Sequence, residues 1–185
     1  MTVRLSPTTA GVDICPGPAG AKEWPHAAYN PRTRLLYTPI VEQCATYKVR
    51  RQEFRESAAY WGGSATPLKK EQWGEVKAID PSTGREAWTW KGRHPMLSSL
   101  LTTGGDLVFA GQPTGEAVAF DARSGQLLWQ VQTGSGIHGS PVTYMVAGKQ
   151  YVAIPSGWGG WVKGFAPELY GAPRGANALF VFTLP

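Results

Sequence analysis

From Gly74 onward, apolar and polar residues alternate in short runs set off by Gly, Pro, Asn and Asp. A period of two is that of β-strands, whose successive side chains point to opposite faces. The pattern predicts strands near 75–79, 86–90, 99–103, 106–110, 116–120, 127–131, 141–145, 150–154 and 179–183. Gly104-Gly105 and Ala147-Gly148-Lys149 supply two of the hairpin turns. Upstream, Ala27–Tyr29, a turn at Asn30–Thr33 and a strand over Leu35–Ile40 form an earlier unit. Residues 41–72 are the least regular and read as a long excursion between strands, in which Gln52–Tyr60 could supply one short helix. Residues 1–14 read as an irregular lead-in, residues 15–185 as the repeat region, and Gly157–Gly175 as a long loop before the last strand.

One stretch occurs twice. Ala78-Ile79-Asp80-Pro81-Ser82-Thr83-Gly84-Arg85-Glu86-Ala87-Trp88 is echoed by Ala119-Phe120-Asp121-Ala122-Arg123-Ser124-Gly125-Gln126-Leu127-Leu128-Trp129, with Ala, Asp, Gly and Trp all displaced by 41 residues. Each copy predicts strand, tight turn, strand. The Asp carboxylate accepts backbone N–H groups in the turn, the Gly takes positive φ, and the Trp ends the second strand. A period of about 40–45 residues of this kind is the signature of β-propeller blades. Two unrelated hairpins in a sandwich would not share the spacing. The predicted fold is all-β, a partial β-propeller of four-stranded antiparallel blades, because a closed ring of at least about four blades would consume the whole chain.

Composition supports that picture: 23 Gly, 15 Pro and 8 Trp suit a turn-rich β chain in which helix is scarce. The net charge of +5 is spread over scattered Lys and Arg, apart from Lys48, Arg50, Arg51 and the pair Lys69-Lys70. No basic face with interleaved aromatics suggests nucleic-acid binding. No apolar run is long enough for a transmembrane helix, and Met1–Gly11 lacks the apolar region of a signal peptide.

Few residues suggest chemistry by themselves. Gly134-Ser135-Gly136-Ile137-His138-Gly139 has the letters of a dinucleotide fingerprint, but Pro141 and a β-like Val142-Thr143-Tyr144 follow where a helix is needed. A blade-to-blade crossing fits better. His26, His94 and His138 have no second ligand at metal spacing, and no nucleophile elbow is present. Cys15 and Cys44 flank one hairpin; two free thiols are an alternative, but such a pair is readily brought within disulfide reach, and a Cys15–Cys44 bridge is expected. In Gly157-Trp158-Gly159-Gly160-Trp161, either indole could plug the space between blades or form the floor of a site for a planar ligand.

Taken together, the Cys15–Trp24 loop, Ala28-Tyr29-Asn30-Pro31, Thr102–Phe109, Ala119–Trp129 and Thr133–Gly160 resemble the C-terminal part of the quinoprotein alcohol dehydrogenases. The resemblance implies an eight-bladed propeller that uses pyrroloquinoline quinone (PQQ) with a calcium or lanthanide ion. It implies oxidation of a small alcohol, a cytochrome c-type electron acceptor and a periplasmic full-length parent. Trp161 falls on the family tryptophan that stacks on PQQ. Glu23 falls where methanol-type members carry an Asn that bonds the quinone, and Leu97 where they carry a Trp near the ring. Cys15 and Cys44 match the spacing of a structural disulfide in the methanol branch. The family's catalytic Asp and metal-binding Glu and Asn lie in earlier blades, so the expectation is no catalytic or metal-binding residue within this sequence. A non-catalytic propeller scaffold for protein–protein interaction is the competing expectation.

Overall fold

The computed structural model describes residues 6–68, 72–157 and 177–183, and among these it contains strands and no helix. The first blade has the order β2 (Ala28–Asn30), β3 (Leu35–Glu42), β6 (Trp73–Asp80), β7 (Arg85–Gly92), all antiparallel. The second runs β8 (Leu101–Thr102), β9 (Leu107–Gly111), β10 (Glu116–Asp121), β11 (Leu127–Gln132). A third sheet holds β12 (Val142–Val146), β13 (Lys149–Ser156) and β14 (Ala178–Thr183).

The repeat is visible atom by atom. In the first copy Asp80 accepts the Ser82 N–H (2.9 Å) and hydroxyl (2.6 Å), and Gly84, at φ 70°, donates its N–H to the Asp80 carbonyl (2.8 Å). In the second, Asp121 accepts the N–H groups of Arg123 (3.0 Å) and Ser124 (2.8 Å), and Gly125, at φ 73°, donates to the Asp121 carbonyl (2.9 Å). Hydrogen bonds to the ionised form hold both carboxyls below their usual range. Even the irregularity repeats: the register shifts between Ala78 and Ile79, and again between Ala119 and Phe120.

Three expectations are corrected. The tryptophans sit within their strands, because β7 continues beyond Trp88 to pair Trp90 with Val76 and Gly92 with Gly74. Trp88 and Trp90 therefore share one face, and both pack on Phe120. The lead-in is not wholly irregular, since Val12–Ile14 forms β1. Residues 41–72 contain a hairpin, β4 (Ala45–Val49) with β5 (Gly63–Pro67), and β1 joins it to make a three-stranded sheet. No helix forms over Gln52–Tyr60. The expected loop from Gly157 to Gly175 lies, beyond Gly157, outside the described residues.

The core is made between blades. Tyr37, Val76, Trp88, Met96, Val108, Val118 and Phe120 fill the space between the first and second sheets. Phe109, Ala117, Ala119, Ile137, Val152 and Ile154 fill that between the second and third. The second sheet thus buries both faces against neighbours, and the first and third each contribute one face to these clusters, as in a stacked repeat.

Candidate functional site

The disulfide expected from sequence is present: Cys15 and Cys44 are bonded, with Cα atoms 4.5 Å apart. It anchors a Gly- and Pro-rich loop to the end of β3. The Gly17 N–H reaches the Gln43 carbonyl, and the Val41 N–H donates to the Ala21 carbonyl at 2.8 Å. The other end of the loop is fixed to the segment leading into the second blade. Leu100 N–H donates to the His26 carbonyl (3.0 Å), and His26 N–H donates to Ser99 Oγ (2.9 Å). Ser98, wholly buried, accepts the Gly111 N–H at 2.8 Å and so ties this segment to β9.

These contacts bring two of the predicted residues to one end of the sheets. Leu97 is buried against Ala19 of the loop and Val41 of β3. Glu23 follows four residues after Ala19 on the same loop and is exposed. Its Oε2 accepts the Trp24 N–H at 3.1 Å, which turns the carboxylate toward its own backbone. Lys22 Nζ donates to the Glu23 carbonyl and, at 2.7 Å, to the Pro25 carbonyl, so an ammonium closes the loop. Trp24 stands largely exposed beside it. Ala19, Val41 and Leu97 thus form a small buried apolar cluster, and farther along the same loop a carboxylate, an ammonium and an indole stand exposed. The third predicted residue, Trp161, lies outside the described residues.

The same 41-residue offset points to a residue that sequence reasoning passed over. Met96 and Ile137 are equivalent and both wholly buried, which makes His138 the counterpart of Leu97 one blade on. His138 is half-buried, and burial pulls its imidazole down to about 4. Its Nε2 is buried with no hydrogen-bond partner among the described residues. The signal was available: applying the repeat to Leu97 finds His138, whereas a search for metal spacing does not.

Among the described residues, no group of three His, Cys, Asp or Glu side chains could hold a metal ion. A cavity of about 330 Å³ opens between the second and third sheets, lined by Phe109, Leu128, Trp129, Val152 and Phe182. It also touches Leu107, at the opposite end of β9 from Gly111 and Ser98, and neither Glu23 nor Leu97 lines it.

Stacked four-stranded sheets with a tryptophan repeat define a segment of β-propeller. Residues 63–152 match the family model "PQQ: Glucose/ethanol/alcohol dehydrogenase, beta-propeller domain". The quinoprotein alcohol dehydrogenase PedH of Pseudomonas putida is 39% identical over 181 residues, covering 95% of this chain and 30% of that protein. A solved europium-containing methanol dehydrogenase superposes with a TM-score of 0.84 at 31% identity, over 96% of this chain and 36% of the other. The quinohemoprotein alcohol dehydrogenase of Comamonas testosteroni superposes at 0.77 with 30% identity, over 94% and 27%. Over nearly its whole length the chain is similar to one part of the quinoprotein alcohol dehydrogenases, and its blades match the PQQ-type propeller model. It spans about 30% of the length of the curated relative PedH.

Proposed function

We propose that these blades form part of the wall of a PQQ site in an oxidoreductase that converts primary alcohols to aldehydes, and that they cover the C-terminal portion of its ring. The observation that carries this reading is the convergence of the Glu23 loop on Leu97, held by the Cys15–Cys44 bond and the Val41–Ala21 hydrogen bond. A planar, anionic quinone suits an apolar wall with an ammonium and indole at its edge. When bound, PQQ supplies the hydride acceptor. Leu97 excludes water from one side, Trp161 offers a stacking face, and Lys22 fixes the loop that carries Glu23. The Glu23 carboxylate is exposed and turned toward the Trp24 N–H, so solvent screens its repulsion toward an electron-rich reduced cofactor.

A calcium or lanthanide ion would be held by residues elsewhere in the ring, since no donor set for it occurs among the described residues. The base that takes the alcohol proton would likewise come from other blades. The parent would act in the periplasm and pass electrons to a cytochrome c-type acceptor. The test is dye-linked ethanol oxidation by the purified chain with added PQQ and calcium or a lanthanide. Loss of a general base alone costs about 10²–10⁴-fold, so no turnover is expected. Turnover that vanishes when PQQ is omitted would show the other blades to be dispensable.

A further inference from the structure

The largest departure from the blade plan is the insertion between β3 and β6. It leaves the sheet beside Cys44, at the end that carries the Glu23 loop, and its base is rigid. β4 pairs with both β1 and β5, Thr46 Oγ1 donates to Asp13 Oδ1 at 2.6 Å, Val49 N–H donates to the Thr8 carbonyl at 3.0 Å, and the disulfide closes the bottom.

Beyond this base, residues 50–62 form a finger shaped by its own hydrogen bonds. Gln52 Nε2 donates to the Ala59 carbonyl (2.7 Å), and Gln52 Oε1 accepts the N–H groups of Trp61 and Gly62 (both 3.0 Å). Arg50 N–H donates to the Gly62 carbonyl at 3.1 Å. Every residue from 50 to 61 except Gln52 is exposed. Phe54 is 76% exposed, Tyr60 59% and Trp61 74%, with Phe54 and Tyr60 edge to face at 6.0 Å. Four cations, Lys48, Arg50, Arg51 and Arg55, accompany them, against the carboxylates of Glu53 and Glu56. Three large aromatics in water at the tip of a stiffened hairpin mark an interaction surface.

We propose that this finger docks on an anionic lipid bilayer, with Phe54, Tyr60 and Trp61 entering the headgroup region and the Arg side chains meeting lipid phosphates. A lipid surface suits an exposed finger, because a fluid interface yields around a projection. The chemistry agrees: Trp and Tyr sit at membrane–water boundaries, where an apolar ring and a polar edge are both satisfied. Basic residues next to such a belt are drawn to the negative surface potential of anionic lipid. Docking in this way would turn the Glu23 end of the sheets toward the membrane. The inference does not depend on the cofactor reading.

The experiment is co-sedimentation of the purified chain with phosphatidylcholine vesicles, with and without phosphatidylglycerol. Binding is expected only with phosphatidylglycerol, and it should weaken as salt is raised. F54S/W61S should reduce affinity roughly tenfold or more, since interfacial binding scales with buried apolar area. R50Q and R51Q should each cost about fivefold. These are exposed positions whose side chains take no part in the finger's hydrogen bonds, so the circular dichroism of each variant should match the parent. No binding to phosphatidylglycerol vesicles at low salt would overturn the proposal. So would undiminished binding by F54S/W61S, or a self-associated species in sedimentation velocity that the same variant dissolves.

Discussion

The two blade junctions carry the same signature and pack differently. Trp88, at the first, is buried; its Nε1 donates to the Ala122 carbonyl at 3.0 Å, and its indole lies where a Cβ on Gly125 would be, 2.5 Å away. The first tryptophan thus rests on the turn of the second copy. Tyr37 adds its hydroxyl to the same carbonyl at 2.9 Å, and burial raises that phenol above its usual range. Trp129, at the second junction, is only half-buried, meets Phe109 and Phe182 edge-on, and borders the 330 Å³ cavity. A repeat therefore fixes which residue is offered to the next blade. How tightly it packs depends on what that blade presents.

Truncation should expose the difference most strongly at the first junction. Trp88→Ala removes a buried indole and leaves the Ala122 carbonyl with one donor fewer, and a loss of about 3–5 kcal/mol is expected in urea unfolding.

The second junction should instead be sensitive to acid. His138 lies beside Ile137 in that interface, with a folded pKa of about 4, below the usual imidazole value. Between about 6.5 and 4 the unfolded chain takes up a proton that the folded chain refuses, so stability falls as pH drops through this window. The loss should reach at most about 3 kcal/mol by pH 4. His138→Leu should flatten this pH dependence and, by removing a buried nitrogen that has no partner among the described residues, raise stability at neutral pH by about 1 kcal/mol. Identical pH profiles for variant and parent would refute the assignment.

A glycine pair isolates the docking contact. Gly84 and Gly125 share the left-handed conformation, yet a Cβ on Gly84 meets nothing within 4 Å while one on Gly125 strikes Trp88. Gly84→Ala should cost about 1 kcal/mol, from backbone strain alone. Gly125→Ala should cost about 2–3 kcal/mol, because overpacking adds to the strain. Equal losses in parallel melts would show that Trp88 yields freely. A smaller loss than that of Trp88→Ala is expected for Trp129→Ala, about 1–2 kcal/mol by chemical denaturation, since part of that indole is already in water and the adjoining cavity can relax.

Much of this architecture was legible in the chain. Alternating apolar residues located the blade strands, and the displaced Asp, Gly and Trp located the turns and the tryptophans that join blades. Cys15 and Cys44, flanking β3, identified the cross-link. The β4–β5 hairpin was not legible, because charges at Lys48, Arg50, Arg51 and Glu53 mask its short alternation and its tip is not packed. Nor was the role of the Ala122 carbonyl, since a backbone oxygen that caps side chains 34 and 85 residues away leaves no trace in residue types. At the candidate site, the burial of Leu97 beneath the Glu23 loop could not be inferred from periodicity, because its partners Ala19 and Val41 lie far away along the chain.

The central claim, that these blades present part of a PQQ wall, is tested most directly by titrating the purified chain with PQQ and following tryptophan fluorescence. The account predicts weak, saturable quenching that loosens about two- to tenfold in Trp161→Ala, the range of one aromatic contact beyond its buried area. A titration indistinguishable between the variant and the parent would contradict it.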